Sequence, residues 1–554
     1  MPGIHEEKDD ERRQASAVSG RSYGTLLAFL ILIVAIGAGV VLHHQDRYSL
    51  YYFGDASSHV IKAREFTDGL GIQELTIGTT WLPLPHLLLL PFTSIDLLFF
   101  SGVAGMFVGI PCLVGTGIIL FLLIKDLTSS PWIAFLMSAV VSLNPNIVYM
   151  ALTPMDEASL TFFVALAGFG VYRWLQNGSL PMLLLTSVSV VFATLCRYEA
   201  WLLAPLLFFA AALEGIAHWR RGEKGRGTKI ILIAAIAGAG ILFWVGWHFL
   251  AFGNPLKFAR GTYSALPDYY RNSEQRLPAK IAKTYLTALL NIFGPFLLCF
   301  ALIFWRGVRM QQKRKPILFL LLFFLAPLAF TVVATFAGYV GIDQWWWNWR
   351  YVLTFGLFLA VAGGLGLKRI AATVPGIVSG VIASCLLIAM PITQLTTPSV
   401  SVATYRDAAK CITPTIKDAM LFGGMIPRYY REGSIALLTE ASSADRIKIA
   451  SWVPMLTFHS IPFPPGCQVP DSVLRGDRYI VMEKNRAREP WTTPPNSQLL
   501  PDVYPRHFEV IAQDSCFCLM ERSPDRSRSI YSALKPAPLS GDQPQSPRAI
   551  AASR

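Results

Sequence analysis

Residues Tyr51–Glu65 read YYFGDASSHVIKARE and follow almost at once on an uninterrupted apolar run, Thr25–Leu42. That run is long enough to span a bilayer if slightly extended, which puts Asp55 at the water-facing mouth of a membrane-buried protein. His59 follows at i+4 and Lys62 three residues later, so the spacing predicts that they share one helical face. A polar, titratable helix pressed against a bilayer is costly unless it serves a site. The remaining apolar segments are therefore expected to build a cavity around Asp55.

The composition supports a membrane setting. Of 554 residues, 53% are hydrophobic and only 15% charged, and the mean hydropathy is +0.45. A soluble globular protein carries about 25% charged residues, so the chain reads as a polytopic membrane protein. The net charge of +13 would suit nucleic acid, but the basic residues lie in short loops between apolar segments, as the positive-inside rule expects; no nucleic-acid partner is implied. Of eight cysteines, Cys112, Cys196, Cys299 and Cys385 fall in apolar segments, and Cys411, Cys467, Cys516 and Cys518 in the polar C-terminal region. No CxxC…CxxC or HExxH spacing supports a structural zinc site.

Residues 1–24 read as a disordered cytoplasmic stretch. The segment after them has an acidic as well as a basic flank and no small-residue cleavage site, so it reads as a retained anchor. Further spans are expected at about 99–124, 131–150, 158–175, 181–196, 200–217, 230–250, 284–305, 317–338, 351–367 and 372–393, eleven in all. Pro83, Pro85 and Pro91 should break any regular helix in 82–98, making it an interfacial or re-entrant piece. With that count and a cytoplasmic N-terminus, the basic loops 218–229 and 306–315 and the pair Lys368–Arg369 all fall inside.

The outer face then gathers Asp55 in a first loop, 43–98, together with Thr153–Glu157, Arg197–Glu199 and the loops 251–283 and 339–350. The 251–283 loop is rich in cations against the rule, which suits an anionic ligand. From about 396 the composition turns soluble. A helix is predicted at Tyr405–Lys410 and strands at Ala419–Gly423, Ser434–Thr439, Arg478–Glu483 and Phe508–Glu521, giving a small extracytoplasmic α/β domain over 396–522 and a disordered tail over 523–554. The four cysteines of this region allow three pairings if the compartment is oxidising.

Read on their own, these residues already suggest chemistry. Asp55 is placed to act as a base or simply to cap the helix it opens. Asp156 and Glu157 are either partners of Asp55 or first-turn acids that favour the helix dipole. Arg197, between two apolar runs, needs an anion: a bound phosphate or the nearby Glu199. Arg350 opens a span beside several tryptophans, as an anchor at the membrane interface would, and Lys257 and Arg260 share a face if helical.

The motifs GDASSHVIKAREF, GTTWLPLPH, LNPN…TPMDE, TLCRYEAW and FGNPLKFARGTYSA occur in this order. In that order they resemble the GT-C glycosyltransferases, and within them the bacterial members grouped with protein O-mannosyltransferases and the aminoarabinose transferase. The likeness covers residues 25–395, the expected transmembrane domain. It implies an all-α polytopic bundle with a C-terminal extracytoplasmic domain. It also implies transfer, with inversion, of a sugar from a polyprenyl-phosphate donor to a protein, glycolipid or glycan acceptor at the periplasmic face of a bacterial inner membrane. Asp55 would then be the general base, with Glu157, Asp156 and His59 as further catalytic residues. Arg197, Tyr198, Arg350, Tyr351, Lys257, Arg260 and His86 would hold the donor phosphate or substrate. A divalent metal, if used, would sit on Asp55, His59 and Glu157. Related mannosyltransferases carry an Asp-Glu pair where this chain has Asp55–Ala56, so a paired-acid mechanism at this loop is not expected. The rival from another class is a secondary transporter or flippase of lipid-linked sugars; it should show a repeated half, and no second copy of the Asp55 region is present.

Overall fold

The computed structural model describes residues 3–53, 55–68, 80–260, 277–294, 296–297, 314–340, 346–373, 414–439, 441–454, 458–460, 478–483, 508–514 and 516–522. The predictions for 405–410, for 372–393 beyond residue 373, and for Cys411 and Cys467 lie outside these residues, as do Cys299 and Cys385.

The membrane part is a helical bundle. It comprises α1 (Gly3–Gln45), α2 (Ala56–Glu65), α3 (Leu84–Thr93), α4 (Asp96–Phe100), α5 (Met106–Thr128), α6 (Pro131–Ser142), α7 (Pro145–Leu152), α8 (Glu157–Asn177), α9 (Leu180–Cys196) and α10 (Leu203–Arg220). It continues through α11 (Lys224–Ala235), α12 (Ala239–Phe252), α13 (Lys257–Arg260), α14 (Pro278–Phe293), α15 (Arg314–Ala337) and α16 (Phe355–Thr373). Seven stretches are long and apolar enough to cross a membrane; α6 and α7 together make an eighth, bent by 61°. The chain is thus an integral membrane protein with fewer clear spans among the described residues than the eleven expected.

Three boundaries differ from the sequence reading. Helix α1 runs back to Gly3 through a stretch for which disorder is predicted. The span expected from residue 99 begins only at Met106, because Gly102, at φ 84°, turns the chain after α4. Helix α3 forms in spite of its prolines: Pro83 is the N-cap and Pro85 lies in the first turn, where no backbone N–H is needed, so only Pro91 is interior. At ten residues it is too short to span.

Glycine sets one close approach that shapes the site. A Cβ on Gly105, the N-cap of α5, or on Gly109 within it would collide with the backbone of Pro154 and Ala151 respectively. Without one, α5 lies directly against the end of α7 and the loop that delivers Asp156 and Glu157. Apolar residues of α1, α5–α10, α14, α15 and α16 close one continuous core around that loop.

Among the described residues the C-terminal domain is a mixed five-stranded sheet with two helices. The strands are β1 (Ile435–Leu438), β2 (Phe458–Ser460), β3 (Tyr479–Glu483), β4 (Phe508–Gln513) and β5 (Phe517–Arg522), in the order β2-β1-β3-β5-β4. The first three are parallel, and β5 pairs antiparallel with both β3 and β4. The expected strand at Ala419–Gly423 is instead part of helix α17 (Pro414–Met425), whose Ala419 and Phe422, with Ile426 of the 3-10 turn that follows, enter the sheet's core at a helical period beside α18 (Ala441–Ser451). The single strand expected over Phe508–Glu521 is a hairpin. The Asp514 carboxylate accepts from the N–H groups of Cys516 and Phe517 and turns the chain there.

Candidate active site

Four elements distant in sequence deliver the charged cluster. Asp55 ends the turn before α2. Asp156 and Glu157 stand at the start of α8, Arg197 and Glu199 at the α9–α10 corner, and Arg350 in the 3-10 turn Trp346–Val352. Arg197 Nη1 donates to Asp156 Oδ1 at 2.6 Å and to Glu157 Oε1 at 2.8 Å, and its Nε donates to Glu199 Oε1 at 2.7 Å. Arg350 Nε stands 2.8 Å from the same Glu157 oxygen, and Arg350 Nη2 lies 3.5 Å from Asp55 Oδ2. The Tyr351 ring packs under both guanidiniums, at 4.8 and 5.3 Å, and Phe53 flanks Arg350 at 5.5 Å.

These contacts sort the expected residues. Arg197 meets the anion it needs, but that anion is the chain's own: three carboxylates surround it, Glu199 among them. It is a hub that holds Asp156 and Glu157 in place. Arg350 is shared: it forms a buried ion pair with Glu157, without a hydrogen bond from its Nε, and lies 3.5 Å from the more exposed Asp55. The Asp55 side chain is 45% exposed, whereas those of Glu157 and Arg350 are 4% and 7% exposed. Although Asp55 occupies the N-cap position, its side chain makes no capping hydrogen bond, so the purely structural role for it finds no contact here. The second oxygen of Glu157 is buried and makes no hydrogen bond. Burial opposes ionisation of Asp156, but the guanidiniums of Arg197, first, and Arg350 outweigh it and hold its carboxyl below the ordinary value.

Beside this cluster, His59 of α2 and His86 of α3 share a hydrogen bond, Nδ1 to Nε2, of 2.9 Å, and Trp81 packs on His59 at 4.7 Å. Burial lowers the pKa of both imidazoles, for His86 well below the usual range, so both are neutral. Tyr198 points elsewhere. Its hydroxyl donates to the Thr80 carbonyl at 2.6 Å and accepts from Trp244 at 3.0 Å, and its ring stacks on Phe258 of α13 at 5.4 Å. Lys257 is exposed on that short helix, and the Arg260 side chain lies outside the described residues. Glu199 and Trp81 complete the constellation without having been singled out as site residues; the Arg-Tyr-Glu triplet placed Glu199 beside Arg197, and Trp81 lay within the GTTWLPLPH motif with only His86 of that motif assigned a role.

Among the described residues no group of three His, Cys, Asp or Glu is placed to hold an ion. Glu157 is already gripped by two guanidiniums, which would repel a divalent cation.

No family model matches the chain, and no curated protein matches it. Solved structures do. ArnT from Cupriavidus metallidurans bound to undecaprenyl phosphate is similar at 13% identity with a TM-score of 0.52, covering 90% of this chain and 99% of that one. Its apo form gives 12% identity and a TM-score of 0.50, over 88% and 97%. The archaeal oligosaccharyltransferase AglB from Archaeoglobus fulgidus, in complex with an inhibitory peptide and a dolichol-phosphate, gives 12% identity and a TM-score of 0.44, over 84% and 69%. The chain has the GT-C fold, an all-α membrane bundle with a small C-terminal α/β domain.

Proposed function

We propose that the chain is a membrane glycosyltransferase that moves a sugar from a polyprenyl-phosphate donor to an acceptor, with inversion, at the membrane face that carries Asp55. The observation that carries this reading is the meeting of an exposed carboxylate, Asp55, with a buried arginine, Arg350, at the mouth of a carboxylate-arginine cluster. Similarity in fold to a protein crystallised with undecaprenyl phosphate supports the donor class.

In this mechanism Asp55 takes the proton from the acceptor's hydroxyl or amine as that atom attacks the anomeric carbon. The bond from that carbon to the phosphate oxygen breaks, and polyprenyl phosphate leaves with the electron pair. The free edge of Arg350 meets the charge growing on the phosphate, and the deep pairing with Glu157 keeps that edge oriented so that little reorganisation is needed. The unbonded Glu157 oxygen accepts from an incoming hydroxyl and orients it. Arg197 holds Glu157 and Asp156 in register, and the neutral His59–His86 pair walls the pocket beside Asp55. Orientation relative to the cell follows from loop charge: the face carrying Asp55 is periplasmic, in a bacterial inner membrane.

Purified full-length protein, incubated with a panel of polyprenyl-phosphate sugars and acceptors with and without chelator, tests this. Release of free polyprenyl phosphate together with a glycosylated acceptor is expected. Movement of intact lipid-linked sugar across a vesicle with no cleavage would mean a flippase and overturn the reading.

A further inference from the structure

Helix α2 is held from two sides. One side presents His59 to α3 and the site. The other lies on helix α18 of the C-terminal domain. There Ser58 Oγ donates to Asp445 Oδ2 at 2.6 Å, and Val60 and Ile61 pack with Met420, Ile449 and Ala450 in a cluster completed by Tyr51, Tyr52, Phe99 and Phe100.

Trp452 pins this junction. Its ring stacks on Phe100 of α4, with centroids 5.0 Å apart and planes 22° apart, while the Arg47 guanidinium lies 4.4 Å from its ring centre. Directly after α18 its φ is +53°, a left-handed conformation that glycine adopts easily and a bulky residue rarely. Strain of this kind persists only where the surroundings over-determine it. Here the surroundings are Arg47 and Phe100, contributed by the segments that enter and leave the Asp55 loop.

We propose that Trp452 and Asp445 are positioning residues: the C-terminal domain clamps α2 through them and so fixes Asp55 for transfer. This rests on the glycosyl-transfer reading above. Neither residue touches the arginine-carboxylate cluster, so the clamp acts on the geometry of the base and leaves donor binding alone.

Trp452→Gly tests the clamp, because glycine suits the backbone conformation while deleting the ring. In the full chain in nanodiscs, amide hydrogen exchange across residues 56–65 should accelerate with the sheet's protection unchanged. The turnover rate should fall at least about tenfold, as expected when a reacting group is misplaced. The affinity for undecaprenyl phosphate should stay within about twofold. Trp452→Phe, which keeps an aromatic ring for Phe100, should recover most of the rate. Asp445→Ala should change exchange and rate in the same direction by less. Unchanged exchange at 56–65, or faster exchange with wild-type turnover, overturns the positioning role. A parallel loss of undecaprenyl phosphate affinity and of sheet protection would show general unfolding and overturn it too. A wild-type chain that transfers no sugar from any donor is a different result and sinks the function proposed above.

Discussion

Asp55 and Arg197 have opposite fates in the site, and their substitutions should separate. Asp55 is partly exposed and only loosely paired, so Asp55→Asn should leave the thermal midpoint within about 2 °C while slowing transfer about a hundredfold or more, the range of a lost general base. Thermal unfolding and turnover on one preparation check this. Arg197 is buried among three carboxylates. Arg197→Met leaves those charges uncompensated, a cost of about 3–5 kcal/mol, and should appear as a large fall in thermal midpoint before activity is considered. A Met variant as stable as wild type would show that the hub is not structural. The sequence made the need for an anion at Arg197 legible, because a lone guanidinium between apolar runs is costly. It did not disclose that Asp156 and Glu157 supply that anion from another helix, since no local spacing encodes contact between helix ends so far apart in the chain. Asp55's freedom from capping was equally out of reach, because N-cap preference is satisfied by residue type whether or not the bond forms.

At the scale of elements, α2 and α3 meet through His59 and His86, and that contact titrates. Both imidazoles are buried and held neutral, while in the unfolded chain each takes up a proton at its ordinary value of about 6.5. Below that pH the unfolded state binds protons that the folded state refuses. The stability tied to this pair is complete above about pH 6.5 and is lost as pH falls through and below it. The thermal midpoint should therefore drop between pH 7 and 5, and His59→Gln with His86→Gln should flatten that drop. An equally steep fall in the double variant would assign it to other groups. The short apolar run at Ala419–Gly423 does not by itself distinguish a strand from a buried helix turn. What prevailed was the three-to-four spacing of Ala419, Phe422 and Ile426, which only a helix turns onto the sheet. The hairpin turn was missed because Asp514 makes it through its side chain.

Across the whole molecule, the bundle was the most legible part. Apolar runs of spanning length and basic short loops need no tertiary information to be seen, and the motif order pointed to the fold that the solved structures then matched. The clamp of α2 by the C-terminal domain was not legible, because it depends on the backbone conformation of one tryptophan. Chain direction places the Asp55 cluster at one end of the bundle and the α10–α11 turn, with Gly222, at the other. In a background without native cysteines, a membrane-impermeant thiol reagent should reach a cysteine replacing Asp46 from one side of a vesicle and one replacing Gly222 only from the opposite side. Labelling of both from the same side would break the topology on which the site depends.

Asp55 is assigned as the base in a site where Arg350 meets the donor phosphate and Arg197 holds the carboxylates in place. That role is tested most directly by single-turnover cleavage of the anomeric carbon–phosphate bond in wild type and Asp55→Asn, with undecaprenyl phosphate affinity measured on the same samples. The assignment of Asp55 as the base requires cleavage in wild type, a loss of about a hundredfold or more in the variant, and affinities within about twofold of each other. Wild-type cleavage rates from Asp55→Asn would contradict it.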